Sequence, residues 1–106
     1  MPSAGLIAAG LVFSVVNALL EEFIWRALLL RWLMAFMSPA GAVILQAISF
    51  GAAHFMGFPS GFIGAGLAGI YAVMLGALAI LSGGILAAIL AHIVADGVIF
   101  TLLVAA

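Results

Sequence analysis

Two apolar runs constrain this chain more than any other feature: "GLIAAGLVFSVVNALL" at 5–20 and "GAGLAGIYAVMLGALAILSGGILAAILAH" at 64–92. Neither contains an Asp, Glu, Lys or Arg. A water-soluble globule needs polar surface, and a chain that is 70% apolar and 5% charged cannot supply it. The solvent for most of this surface is therefore lipid. In a bilayer every backbone N–H and C=O must be satisfied within the protein, which leaves helices or a closed barrel. Barrel strands alternate apolar and polar residues, whereas these runs are continuously apolar and rich in Ala, Leu and Gly. The expectation is an all-α integral membrane protein, multi-pass and located in the cell membrane.

Pro beside Gly or Ser breaks the pattern at "MSPAG" (37–41) and "GFPSG" (57–61), and "SGG" (82–84) makes a third break. These divide the chain into four helices near 4–36, 39–56, 61–81 and 84–104, a bundle of four transmembrane helices forming a single domain over 1–106. The first is too long for one straight span: a helix over 4–36 would rise ~50 Å against a hydrocarbon core of ~30 Å. It is expected to kink. Small residues recur every fourth position in the third helix, at Gly61, Ala65 and Gly69 and at Ala68, Ala72 and Gly76, as close helix packing in lipid requires. With no cysteine there are no disulfides or thiolate metal ligands, and a net charge of -1 offers no footprint for nucleic acid.

Charge is concentrated. Glu21, Glu22, Arg26 and Arg31 fall within 21–31, and the fifth charged residue, Asp96, lies far away beside His92. A charge inside a span costs roughly 2.5–3.5 kcal/mol on insertion scales, so such groups pair, face inward or sit near water. Glu22 and Arg26 are four apart on a helix and share a face. Glu21 is rotated by about 100° from Glu22, which leaves it without that cation and free for chemistry. Phe50 stands one turn before His54, and His92 one turn before Asp96. In antiparallel helices Glu21 and His54 would both stand ~22 Å from the 36–39 turn, and Asp96 about 20 Å from Gly83. Glu21, His54, His92 and Asp96 are thus expected to line one polar cavity. Arg31, Trp25 and Trp32 read as interface or lipid-facing residues.

"EEFIWR", "FGAAH" and "HIVAD" fit E-E-x-x-x-R, F-x-x-x-H and H-x-x-x-[N/D] in order on successive apolar helices, over Asn17 to Phe100. The chain in this respect resembles the CPBP group: type II CAAX prenyl proteases with their bacteriocin-processing and Abi-type relatives. The resemblance implies an intramembrane endopeptidase acting on a membrane-associated peptide or protein, a prenylated CAAX-type peptide being the group's best-known target. By the same resemblance Glu21 and His54 would activate the attacking water, and His92 and Asp96 would bind substrate or stabilise the oxyanion. Glu22, Arg26 and Phe50 would shape the site. Asp96 stands where Asn is common, and an ionised carboxylate accepts but does not donate. It would have to be protonated, orient His92 or help hold a metal. A divalent metal such as zinc stays open: Glu21, His54 and His92 are the candidate ligands, but the H-E-x-x-H spacing is absent, and the reading leans toward no tightly held metal. Two other classes remain: a small four-helix proton-coupled transporter, which Arg26 disfavours by opposing a cationic substrate, and a non-catalytic immunity or structural membrane protein.

Overall fold

A computed structural model of the chain describes residues 2–105, and among these every regular element is helical. Helix α1 spans Ala4–Leu33, α2 Pro39–Ala53, α3 Gly61–Ser82 and α4 Leu86–Ala105. Each boundary has a local cause. The Ser3 hydroxyl accepts from the Leu6 N–H (3.1 Å) and opens α1. Ser38 does the same for Gly41 (3.1 Å) at the start of α2, with Pro39 in the first turn, where no N–H is needed. Helix α3 closes on Gly83, at φ +75°, while the N–H groups of Gly84 and Gly83 cap the carbonyls of Ala79 (3.1 Å) and Ile80 (3.3 Å). That left-handed turn suits a residue without Cβ.

Helices α1, α3 and α4 are long and apolar enough to cross a membrane; α2 is not. Its 15 residues rise only ~22 Å against a core of ~30 Å. The expected helix to residue 56 stops at Ala53 because the chain tightens there. His54 N–H donates to Gly51 O (3.0 Å) and Gly57 N–H to His54 O (3.0 Å), and Gly61 N–H returns to Phe55 O (2.7 Å). The four expected helices are all present, three of them of full membrane-spanning length and one, α2, shorter, with His54 at its end.

Helix α1 is bent, as its length requires, and the cause is a π-helical segment over Phe23–Leu30. From Gly10 to Leu30 its buried positions run Gly10, Ser14, Ala18, Glu22, Arg26 and Leu30, a spacing of four over that stretch. In a regular α-helix four residues overshoot a full turn by ~40°. The wider π turns rotate the other way, so Glu22, Arg26 and Leu30 stay on one side.

Burial is inverted relative to a soluble protein. Ser14, Glu22, Arg26, Gln46, His92 and Asp96 are buried, while Leu11, Ile48, Phe62, Ile70, Leu81 and Val94 are exposed. Lipid makes that arrangement favourable, since apolar side chains need no cover there and polar ones do. Helix α2 packs chiefly on α3, and α1 on α4. The α2–α3 contact depends on absent side chains: a Cβ on Gly51 would lie 2.6 Å from the Ala65 carbonyl. Gln46 then ties the pair, donating from Nε2 to Ala72 O (2.8 Å) and Val43 O (3.0 Å).

Candidate active site

A cavity of about 570 Å³ lies where the middle of α1, the end of α2, α3 and α4 meet. Its wall includes Asn17, Glu21, His54, Tyr71, His92 and Asp96, with Phe13, Phe58, Leu67 and Leu103 as apolar lining. All four residues expected to share a cavity do so, although they come from three helices.

His54 is placed by the way α2 ends. Because its backbone N–H bonds three residues back to Gly51, the Phe50 carbonyl is left without the usual fourth-residue donor. The imidazole takes that carbonyl instead, Nδ1 to O at 2.7 Å, and stacks on the Phe50 ring with centroids 4.1 Å apart. A carbonyl only accepts, so Nδ1 carries the proton and Nε2 faces outward with its lone pair when the ring is neutral. Nε2 lies 3.3 Å from Glu21 Oε2. The contact has ion-pair distance without hydrogen-bond alignment, and Oε2 has no hydrogen-bond partner among the described residues. Two lone-pair groups therefore face each other, an arrangement that a water with two hydrogens can bridge.

Glu22 and Arg26 form the expected pair, Nη1 donating to Oε2 over 2.7 Å, with no side-chain exposure on either. The same Oε2 accepts from His92 Nδ1 at 2.6 Å, a contact between residues seventy apart for which no local sequence signal exists. The other His92 nitrogen, Nε2, lies 3.4 Å from Asp96 Oδ1. A carboxylate only accepts, so Nδ1 donates to Glu22, while Nε2 faces Asp96 at ion-pair distance without a hydrogen bond. Phe50 joins the two halves: it carries the Arg26 guanidinium 4.6 Å from its centroid and meets Trp25 edge-on at 5.4 Å. Trp25 thus packs inward against Phe50, whereas Trp32 is 62% exposed.

Two cavity residues escaped the sequence reading. Asn17 donates from Nδ2 to Asp96 Oδ2 (2.9 Å) and joins α1 to α4. It stands one turn before Glu21, so the spacing rule that paired Glu22 with Arg26 would have found it. Tyr71 donates to Ala91 O (2.7 Å) and meets the His92 ring edge-on at 6.3 Å; its hydroxyl in an otherwise apolar helix was the available signal.

The candidate metal ligands Glu21, His54 and His92 do not converge. Among the described residues no group of three or more His, Cys, Asp or Glu side chains is arranged to hold a metal ion. His92 has a carboxylate at each nitrogen, and the His54 Nδ1 is held by a carbonyl. A three-ligand zinc site does not fit this donor set.

A family model described as type II CAAX prenyl endopeptidase Rce1-like matches residues 3–98. No curated protein and no solved structure matches the chain.

Proposed function

Given that the chain belongs to the Rce1-like family of type II CAAX prenyl endopeptidases, and is thus an integral membrane protease with a peptide or protein substrate, we propose that it hydrolyses a peptide bond with a water held between Glu21 and His54. Membership of the family displaces the transporter and immunity-type readings. In this proposal residues 1–106 act as one catalytic core in the cell membrane, and the substrate is a prenylated CAAX-type peptide.

One observation carries the reading: Glu21 Oε2 and His54 Nε2, two acceptors, stand 3.3 Å apart on the wall of one cavity. A water donating to both is oriented with a lone pair outward and has a base at hand. As its oxygen bonds to the scissile carbonyl carbon, one proton passes to Glu21. The carbonyl π electrons move to oxygen, and the resulting tetrahedral centre collapses by breaking C–N while Glu21 returns the proton to the leaving amine. His92 Nε2, whose 3.4 Å separation from Asp96 exceeds a good N–H···O distance, is available to the carbonyl oxygen. Glu22 and Arg26 hold that ring from behind, and Phe50 sets the His54 tautomer. No step uses a metal.

The test is turnover of a farnesylated CAAX-type peptide by purified protein in liposomes, comparing the parent with Glu21→Gln. Loss of a general base costs roughly 10²–10⁴-fold, so Glu21→Gln should be close to inactive while remaining folded. Equal rates in variant and parent would sink the assignment of Glu21. Comparison with the unprenylated peptide decides the substrate: equal turnover of both removes the prenyl requirement.

A further inference from the structure

A tetrahedral intermediate needs hydrogen-bond donors at the position its oxygen will occupy. Most donors on the cavity wall are already engaged. The Tyr71 hydroxyl donates to Ala91 O, His54 Nδ1–H to Phe50 O and His92 Nδ1–H to Glu22. Asp96, as a carboxylate, accepts only. His92 Nε2 faces Asp96 Oδ1, and one further side chain reaches the same carboxylate from the opposite helix: Asn17, whose Nδ2 is 2.9 Å from Asp96 Oδ2.

The orientation of that amide follows from its partner. Asp96 presents acceptor oxygens, so the NH2 end of Asn17 faces it, and one of the two N–H groups is taken up there. By distance and angle this is its one hydrogen bond among the described residues, and the amide also comes close enough to the Glu21 side chain to interact with it. The second N–H is fixed by the planarity of the amide. Asn17 lines the same cavity as Glu21 and His54. It precedes Glu21 by one turn, ~6 Å along α1.

We infer that Asn17 is a further catalytic residue, its second N–H, beside Glu21, donating to the carbonyl oxygen of the bound peptide and to the oxyanion formed from it, with Asp96 as the positioning residue that holds the amide in place. The inference rests on the hydrolytic reading above. Asp96 thereby orients the Asn17 amide on α1 from its place on α4, while donating nothing itself. The amide that a carboxylate at 96 does not provide comes from across the interface.

The experiment compares Asn17→Ala and Asn17→Ser with the parent and with Glu21→Gln in the farnesylated-peptide assay, alongside thermal stability and affinity for a peptidyl phosphinate that mimics the tetrahedral centre. Asn17→Ser retains one donor, which can serve Asp96 and keep α1 on α4, but it lacks the second; it decides the matter if the alanine variant does not fold. Loss of an oxyanion donor costs roughly 10²–10³-fold in kcat. Both variants should show a fall of that order with KM little changed, and phosphinate affinity should fall in parallel. A purely structural Asn17 would lower the melting temperature and leave kcat per folded molecule and phosphinate affinity at parent values, which overturns the inference. Parent-level kcat in Asn17→Ser beside an inactive Glu21→Gln overturns Asn17 alone, whereas no turnover by the parent removes the hydrolytic reading and this inference with it.

Discussion

The Nδ1–H of His54 donates to the carbonyl of Phe50 over 2.7 Å, and this one bond decides that the nitrogen facing Glu21 is the one that can accept a proton. The F-x-x-x-H spacing is therefore more than two side chains on one face. The residue at the first position supplies a backbone acceptor, a ring to stack on and a seat for Arg26.

Replacing Phe50 by Leu keeps the carbonyl but removes both ring contacts. The cation–π contact contributes on the order of 1 kcal/mol, more when desolvated, so a modest fall in melting temperature is expected. Turnover should drop further than stability, because the imidazole loses its stacking plane and is free to tilt away from Glu21. Peptide kinetics and a thermal melt on the same preparation check this; unchanged kcat would show that the Phe50 carbonyl alone holds the ring.

The adjacent glutamates should separate by phenotype. Glu22 is the shared acceptor of Arg26 and His92, and removing one partner of a buried ion pair costs roughly 3–5 kcal/mol because charge is left unpaired. Glu22→Gln is expected to lose stability by that order, as measured by denaturation in detergent, whereas Glu21→Gln keeps its stability and loses activity. A Glu22→Gln protein as stable as the parent would contradict the buried pair.

Two glycines at the α2–α3 contact should respond differently to alanine. At Gly51 the added methyl would stand 2.6 Å from the Ala65 carbonyl, a backbone atom that cannot turn aside. At Gly69 it would be 3.5 Å from the Ala47 carbonyl, ordinary contact. Overpacking of the first kind costs about 1–3 kcal/mol. Gly51→Ala should lower the melting temperature and, by spreading α2 from α3 three residues before His54, the activity as well; Gly69→Ala should do neither.

The two tryptophans report on which side faces lipid. Trp32 is 62% exposed and Trp25 packs against Phe50. In vesicles of brominated phospholipid, a Trp25→Phe protein, which retains Trp32, should be quenched strongly, and a Trp32→Phe protein much less. Equal quenching would place both rings in lipid.

Helix number and helix breaks were legible in the sequence because Pro and Gly mark them without regard to solvent, and the Glu22–Arg26 pair was legible because it is local. The end of α2 was not. "HFMGF" is as apolar as the helix before it, and in a membrane protein a turn inside the apolar layer does not announce itself by polarity. The π segment was invisible for a related reason: "FIWRALLL" has no Pro or Gly, and reading α1 at 3.6 residues per turn assumes the period that the segment departs from. The His92–Glu22 and Asn17–Asp96 contacts join residues 70 and 79 apart. Heights along helices can place such groups in one layer, but the rotation of each helix about its axis, which decides who meets whom, is set by packing.

The π segment over Phe23–Leu30 also makes α1 sensitive to counting. A single-residue deletion at Ala27 or Leu28 would relax the wide turns toward α-helix and rotate what lies on one side of the segment by about 100° relative to the other. Leu30 and Leu33 pack against Ala42, Val43 and Ala79 while Ala4–Glu22 packs on α4, so the two parts could not both keep their partners, and Glu21 would lose its alignment with His54. No charged group would be lost and the hydropathy of the chain would hardly change, yet Glu21 would point elsewhere. The arithmetic of one residue in an apolar stretch is in that sense as much a part of the chemistry as either glutamate.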